Sequence, residues 1–145
     1  MAIDSRNTFV YSPLDLAVAT ASSTGAAACT TTQAAGATGI RNICKRVTVT
    51  LGVGATLQPP VQVQLINGAS GLSNTTSSIL ANWIITALVS GAQTVLDVDN
   101  LHIAGSTATA MTLFVRAPAA NTNCSINLET YTFPRANPAQ VTSAA

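Results

Sequence analysis

Residues 47–53 read VTVTLGV. Val47, Val49, Leu51 and Val53 fall on one parity, and Thr48, Thr50 and Gly52 on the other. A helix gathers apolar residues at spacings of three and four, whereas alternate spacing puts them on one face of a β-strand. The same period recurs. Val61, Val63 and Leu65 alternate with Gln62 and Gln64; Met111, Leu113 and Val115 with Thr112, Phe114 and Arg116; Ile126 and Leu128 with Asn127 and Glu129. Each run predicts a half-buried strand whose Thr and Gln residues face outward, solvated or packed. Turn clusters separate the runs: Gly54-Ala55-Thr56, Gln58-Pro59-Pro60, Asn67-Gly68, Ser90-Gly91, Gly105-Ser106 and 118–123. Short strands punctuated at regular intervals point to a sandwich or barrel. Pro59 and Pro60 lack the amide hydrogens a ladder needs, so the strands on either side of them are not expected to pair with each other.

The apolar run 79–89, ILANWIITALV, has the length of a short helix, but its Ile84-Ile85-Thr86 core and Trp83 favour a strand, which the Ser90-Gly91 turn ends. Trp83 is then its largest filler of core or interface. Residues 94–98 and 101–103 predict two short strands around the bend at Asp97, Asp99 and Asn100. The low-complexity segment 26–37 allows a strand plus a loop, and no helix longer than two turns is expected. The expected architecture is all-β: an antiparallel β-sandwich over 14–133, with an extended N-terminal arm over 1–13 and a C-terminal arm over 134–145. Phe9, Val10 and Tyr11 argue that the first arm docks on something, because leaving them in water is costly.

The chain has 145 residues, one domain's worth, with six Lys/Arg and five Asp/Glu. Charged residues make up 8%, against about 25% for an ordinary soluble domain. Six dispersed cations cannot supply the dense basic surface of an electrostatic nucleic-acid binder. A hydrophobic share of 48% excludes charge-driven disorder. Ala (25), Thr (21) and Ser (12) dominate instead. A surface of methyls and hydroxyls disperses a free monomer poorly and suits a protein packed against copies of itself. No apolar stretch approaches the roughly 20 residues of a membrane-spanning helix. The N-terminal residues lack the basic and apolar regions of an export signal, which points to folding in a cytoplasm.

Candidate chemistry is sparse. Cys29, Cys44 and Cys124 form no CxxC pair and read as free core thiols. The single histidine, His102, has no nucleophile motif beside it, and alternation places it on the opposite strand face from Leu101 and Ile103. It reads as a structural or exposed histidine. Asp97 and Asp99 share a parity and would suit a cation, but an Asx turn ending a strand explains them with less. Arg41, Lys45 and Arg46 form the one basic cluster. On a regular strand Arg41 and Lys45 point one way and Arg46 the other, either protecting a sheet edge or meeting an acidic partner. No catalytic residue, metal site or cofactor is expected.

Residues 79–133 also carry a resemblance. A Trp-bearing strand (Trp83) is followed by a Gly/Thr loop and a segment holding Asp97, Leu101, Ile103, Gly105 and Ser106. A strand with Thr109, Ala110, Thr112 and Leu113 comes next, and a last strand holds Ile126, Asn127, Leu128 and Tyr131. This succession resembles the C-terminal half of the capsid decoration, or cement, proteins of tailed bacteriophages. It departs from them in its Tyr-Thr-Phe-Pro ending. The resemblance implies a jelly-roll sandwich, a homotrimer, and attachment to the major capsid protein on the outer face of the virion after synthesis in a bacterial cytoplasm. Nucleic acid and membrane are not implied as partners. Partner contact would fall to the arms, through Arg6, Phe9 and Tyr11 at one end and Pro134, Arg135 and Pro138 at the other. Two other roles fit the same residues: a carbohydrate- or receptor-binding β-sandwich module, and another repeated virion part such as a minor capsid, neck or tail subunit.

Overall fold

The computed structural model describes residues 16–25, 27–54, 60–69, 78–86, 91–118 and 122–134. Nine strands run through them: β1 (Ala17–Ser23), β2 (Cys29–Gln33), β3 (Arg41–Val53), β4 (Val61–Asn67), β5 (Ile79–Ile85), β6 (Gln93–Val98), β7 (Ile103–Thr107), β8 (Met111–Val115) and β9 (Thr122–Phe133). Helix is absent among the described residues, and two antiparallel sheets pack face to face as a β-sandwich. One sheet has the order β1-β9-β3-β6, with β7 also on β3; the other has the order β2-β8-β4-β5. The strands on either side of Pro60, β3 and β4, lie in different sheets, as the prolines predict.

The alternating runs become the core. Val47, Val49, Leu51 and Val53 from β3 and Ile126 and Leu128 from β9 face Val61, Val63 and Leu65 from β4 and Met111, Leu113 and Val115 from β8. All are buried, and Trp83, Leu96 and Ile103 pack partly against them. The chain changes sheet at most of its connections, and the interior strand β9 is inserted between β1 and β3 while β8 is inserted between β2 and β4. The last two strands therefore close both sheets.

Outward positions differ between the sheets. On the β1-β9-β3-β6 sheet, cross-strand rows run Ser22–Ser125–Thr50–Val95 and Thr20–Asn127–Thr48–Asp97. These two rows are hydroxyl and amide apart from Val95 and Asp97, and the neighbouring row, Val18–Glu129–Arg46, carries charge. On the other sheet the outward Gln64, Ile66 and Thr112 are buried, although Ile66 lies outside the main core cluster. Thr112 donates to the Gly68 carbonyl at 2.6 Å, so the 3.0 Å contact with Thr32 has Thr32 as donor.

Three local expectations need correction. The strand expected at 101–103 begins only at Ile103 and runs on to Thr107. His102 is not in it: Asn100 and His102 adopt positive φ of 57° and 50°. Gly105 and Ser106, expected in a turn, lie inside β7, and the turn falls at Ala108 (φ 51°). Gly105 is buried where a Cβ would meet Asn67 Oδ1 at 3.1 Å and Met111 Cε at 3.2 Å. That close approach lets the Asn67 amide hold Ser106 across the sandwich, accepting from its N–H and donating to its Oγ, both at 2.8 Å.

Candidate functional site

Five of the seven charged side chains among the described residues, all but Arg41 and Arg116, converge on one place, and a backbone irregularity creates it. β3 pairs along one flank with β9, and along the other with β6 (from Val47 to Gly52) and then β7 (from Arg41 to Cys44). At the handover from β6 to β7 the ladder slips: Cys44 faces Thr130, Arg46 faces Glu129, and Lys45 is the extra residue. A bulge of this kind resets the alternation. Asn42 and Cys44 are buried before it and Val47 and Val49 after it, so Lys45 and Arg46 both face outward. The regular-strand expectation that they point to opposite faces is thus overturned. The edge-protection reading fails as well, because β3 is an interior strand.

The bend joining β6 to β7 lies against this bulge. The Leu101 N–H donates to the Lys45 carbonyl at 3.0 Å. Arg46 grips Asp97 with two parallel bonds, Nε to Oδ1 at 2.8 Å and Nη2 to Oδ2 at 2.7 Å. Lys45 Nζ lies 3.5 Å from Asp99 Oδ1 and 4.0 Å from Glu129 Oε2. Thr48 Oγ1 donates to Asp97 at 3.4 Å, and the Asn100 N–H donates to Asp99 Oδ1 at 2.7 Å. The last contact is the Asx-type arrangement that D-V-D-N predicts.

The electrostatics follow from these bonds. The Arg46 guanidinium, first by hydrogen bonding, holds the Asp97 carboxyl below its ordinary range, and Asp97 in turn raises Arg46. Asp99 is lowered mainly by the Asn100 amide, with Lys45 adding to it. A cation seeking Asp97 and Asp99 would have to displace the Arg46 guanidinium and the Lys45 ammonium already in place. Among the described residues no group of three or more His, Cys, Asp or Glu side chains is arranged to hold a metal. The cluster fastens the 99–102 bend to the sheet; its cations meet the chain's own carboxylates.

His102 stands beside this cluster. Its Nδ1 is 3.0 Å from the Tyr131 hydroxyl, and the rings meet edge to face at 6.2 Å. The exposed His102 is a surface partner for the buried Tyr131. Cys29, Cys44 and Cys124 are buried free thiols. Burial pushes Cys44 up to about 12, with its Sγ 3.9 Å from the Arg46 carbonyl. Cys44 is therefore not poised as a nucleophile, because the reactive species is the thiolate.

Of the residues expected to touch a partner, Arg6, Phe9, Tyr11, Arg135 and Pro138 lie outside the described residues. Pro134 is exposed and follows a cis peptide bond from Phe133. Sequence reasoning did not single out the exposed apolar side chains Val18, Ile84, Val95 and Phe133. For Val95 and Ile84 the signal was present: each is apolar on the outward parity of its strand, beside the inward Leu96 and Trp83. Among the described residues no helix is long and apolar enough to cross a membrane. Comparison of the chain with protein-family models, with curated proteins and with solved structures returned no match.

Proposed function

We propose that this is a non-enzymatic structural protein of a tailed-phage particle. In this reading it is a homotrimeric decoration protein that binds the major capsid protein on the outer shell and ties neighbouring capsomers together. The observation that carries the reading is the character of the described surface. Large apolar side chains stand in solvent on four different strands: Val18 on β1 (57% exposed), Ile84 on β5 (61%), Val95 on β6 (56%) and Phe133 on β9 (49%). Meanwhile Lys45, Arg46, Asp97, Asp99 and Glu129 are spent on one another. Apolar groups at several separate edges suit a subunit with more than one neighbour, and each gains on the order of 1–2 kcal/mol when covered. A cyclic trimer uses two different surfaces per subunit and leaves others for a shell.

Strand order supports a jelly roll as the sandwich type. With β7 set aside, eight strands divide between two four-stranded sheets in the nested order β1-β9-β3-β6 and β2-β8-β4-β5, changing sheet at every connection but β4–β5. The burial of the aromatic rings favours attachment to a protein shell over sugar stacking. Trp83 and Phe114 are partly buried and Tyr131 is buried, so these three rings do not form an open stacking platform.

Light scattering on a sizing column, at two concentrations, tests the assembly; the expected mass is three times 14.7 kDa. Co-sedimentation with purified phage shells stripped of decoration tests the partner, with Ile84→Asp and Val95→Asp each expected to weaken either trimerisation or retention at least tenfold. A chain that remains monomeric and passes through the shells unbound overturns the reading.

A further inference from the structure

Two of the three cysteines come together across the sandwich. Cys29 opens β2 in one sheet, opposite Val115; Cys124 lies in β9 of the other, opposite Ser23 and Leu51. Both point into the core and are 2% exposed. The sheets converge at this margin, where β2 approaches both β1 and β9 with Cα atoms within 8 Å. The two thiols are close enough that Cys29 helps to raise the Cys124 pKa. A disulfide needs Cα atoms within about 7 Å and converging Cβ vectors, and both cysteines enter the core from strands that approach each other at this margin. Cys44 belongs elsewhere, contacting the Arg46 carbonyl on β3.

We propose that Cys29 and Cys124 form a reversible oxidation site, closing to a disulfide that clamps the two sheets when the protein meets a low-molecular-weight disulfide. The thiolate of Cys29 attacks the sulfur–sulfur bond of the oxidant, giving a mixed disulfide and releasing one small thiol. The Cys124 thiolate then attacks the Cys29 sulfur and expels the second small thiol. Two electrons pass to the oxidant, and the two thiol protons leave with its halves. Burial and the neighbouring thiol push Cys124 up to about 12, so its own thiol is quiet near neutral pH. Access comes from position. Cys29 is the first residue of an edge strand and follows exposed residues 27 and 28, so fraying of that strand end exposes it without global unfolding. The inference is independent of the shell reading, because it rests only on the fold.

The test uses the full chain incubated with glutathione disulfide, then denatured and alkylated. Three alkyl groups add before oxidation; the expected product takes one, on Cys44, and its unmodified mass falls by two hydrogens. Trypsin separates the thiols, because Cys29, Cys44 and Cys124 fall in segments 7–41, 42–45 and 117–135, and the linked pair must be the first and the last. The bridged form should melt about 10 °C higher, as the closure of a long loop predicts. A second arm refolds the chain in a glutathione redox couple, so that slow access to the native site does not mask the geometry. Formation of the Cys29–Cys124 bridge there supports the proposal, and Cys124→Ser must abolish it. Stable glutathione adducts, a scrambled mixture including Cys44, or three free thiols after refolding overturn it.

Discussion

Replacing Thr122 with valine should stabilise the protein, which is an uncommon direction for a core substitution. Thr122 opens β9 opposite Val53 and shares its inward parity with Cys124, Ile126 and Leu128. It is fully buried, and its Oγ1 has no hydrogen-bond partner among the described residues. A buried hydroxyl without a partner costs roughly 1–3 kcal/mol. Valine keeps the β-branch, the strand preference and nearly the same shape, and the methyl that replaces Oγ1 contributes up to about 0.8 kcal/mol of apolar burial. Allowing for imperfect fit of that methyl, the net gain should be about 1–2 kcal/mol. Urea unfolding followed by the fluorescence of the single tryptophan, Trp83, should show a midpoint about 0.5–1 M higher with an unchanged slope. Thr122→Ser, which retains the hydroxyl and loses the methyl, should fall below the wild type. A Thr122→Val protein less stable than wild type would refute the reasoning, because it would mean that the hydroxyl is bonded after all.

Leu113→Ala removes a fully buried side chain from the interior strand β8 and should cost about 2–5 kcal/mol, read in the same urea titration. Gly105→Ala brings a Cβ to 3.1 Å from the Asn67 oxygen that holds Ser106, and should cost about 1–2 kcal/mol; a neutral result would mean the Asn67 amide shifts freely. Asp97 and Asp99 have folded-state pKa values below the ordinary 3.8, so their contribution is present above that value and is lost as pH falls through the lowered ones. Melting temperature should therefore drop on acidification below about pH 4, and Asp97→Asn should flatten that drop while lowering the neutral-pH plateau only slightly.

The sandwich was legible where side chains differ strongly between the two faces. In β3, β4 and β8 large aliphatic residues alternate with Thr or Gln, and every aliphatic residue on the inward parity is buried, although the outward Gln64, Ile66 and Thr112 are buried as well. β1 reads AVATASS, with no such contrast: its inward Ala19 and Ala21 differ little in size from the outward Thr20 and Ser22. Pairing with β9 decides its conformation, and no local pattern reports that. The charge cluster was half legible. Its residue types and the Asx turn could be read from D-V-D-N. The bulge at Lys45 could not, because it arises where β3 passes from one neighbour to the next, between strands remote in sequence. The role of Glu129 was invisible for the same reason.

Because β8 and β9 occupy interior places in their sheets, synthesis imposes an order on this molecule. While the chain is still being made, β1 has no β9 beside it and β2 has no β8; neither has another ladder partner among the described strands. A nascent chain ending before Met111 holds two solitary strands and a β4–β5 hairpin cut off from half of its sheet. Folding must wait for the last strands to leave the ribosome, and it then joins segments far apart in sequence, which is slow. During that interval the apolar runs of β3 and β4 are uncovered, so yield in a host cell is governed by competition between late closure and aggregation.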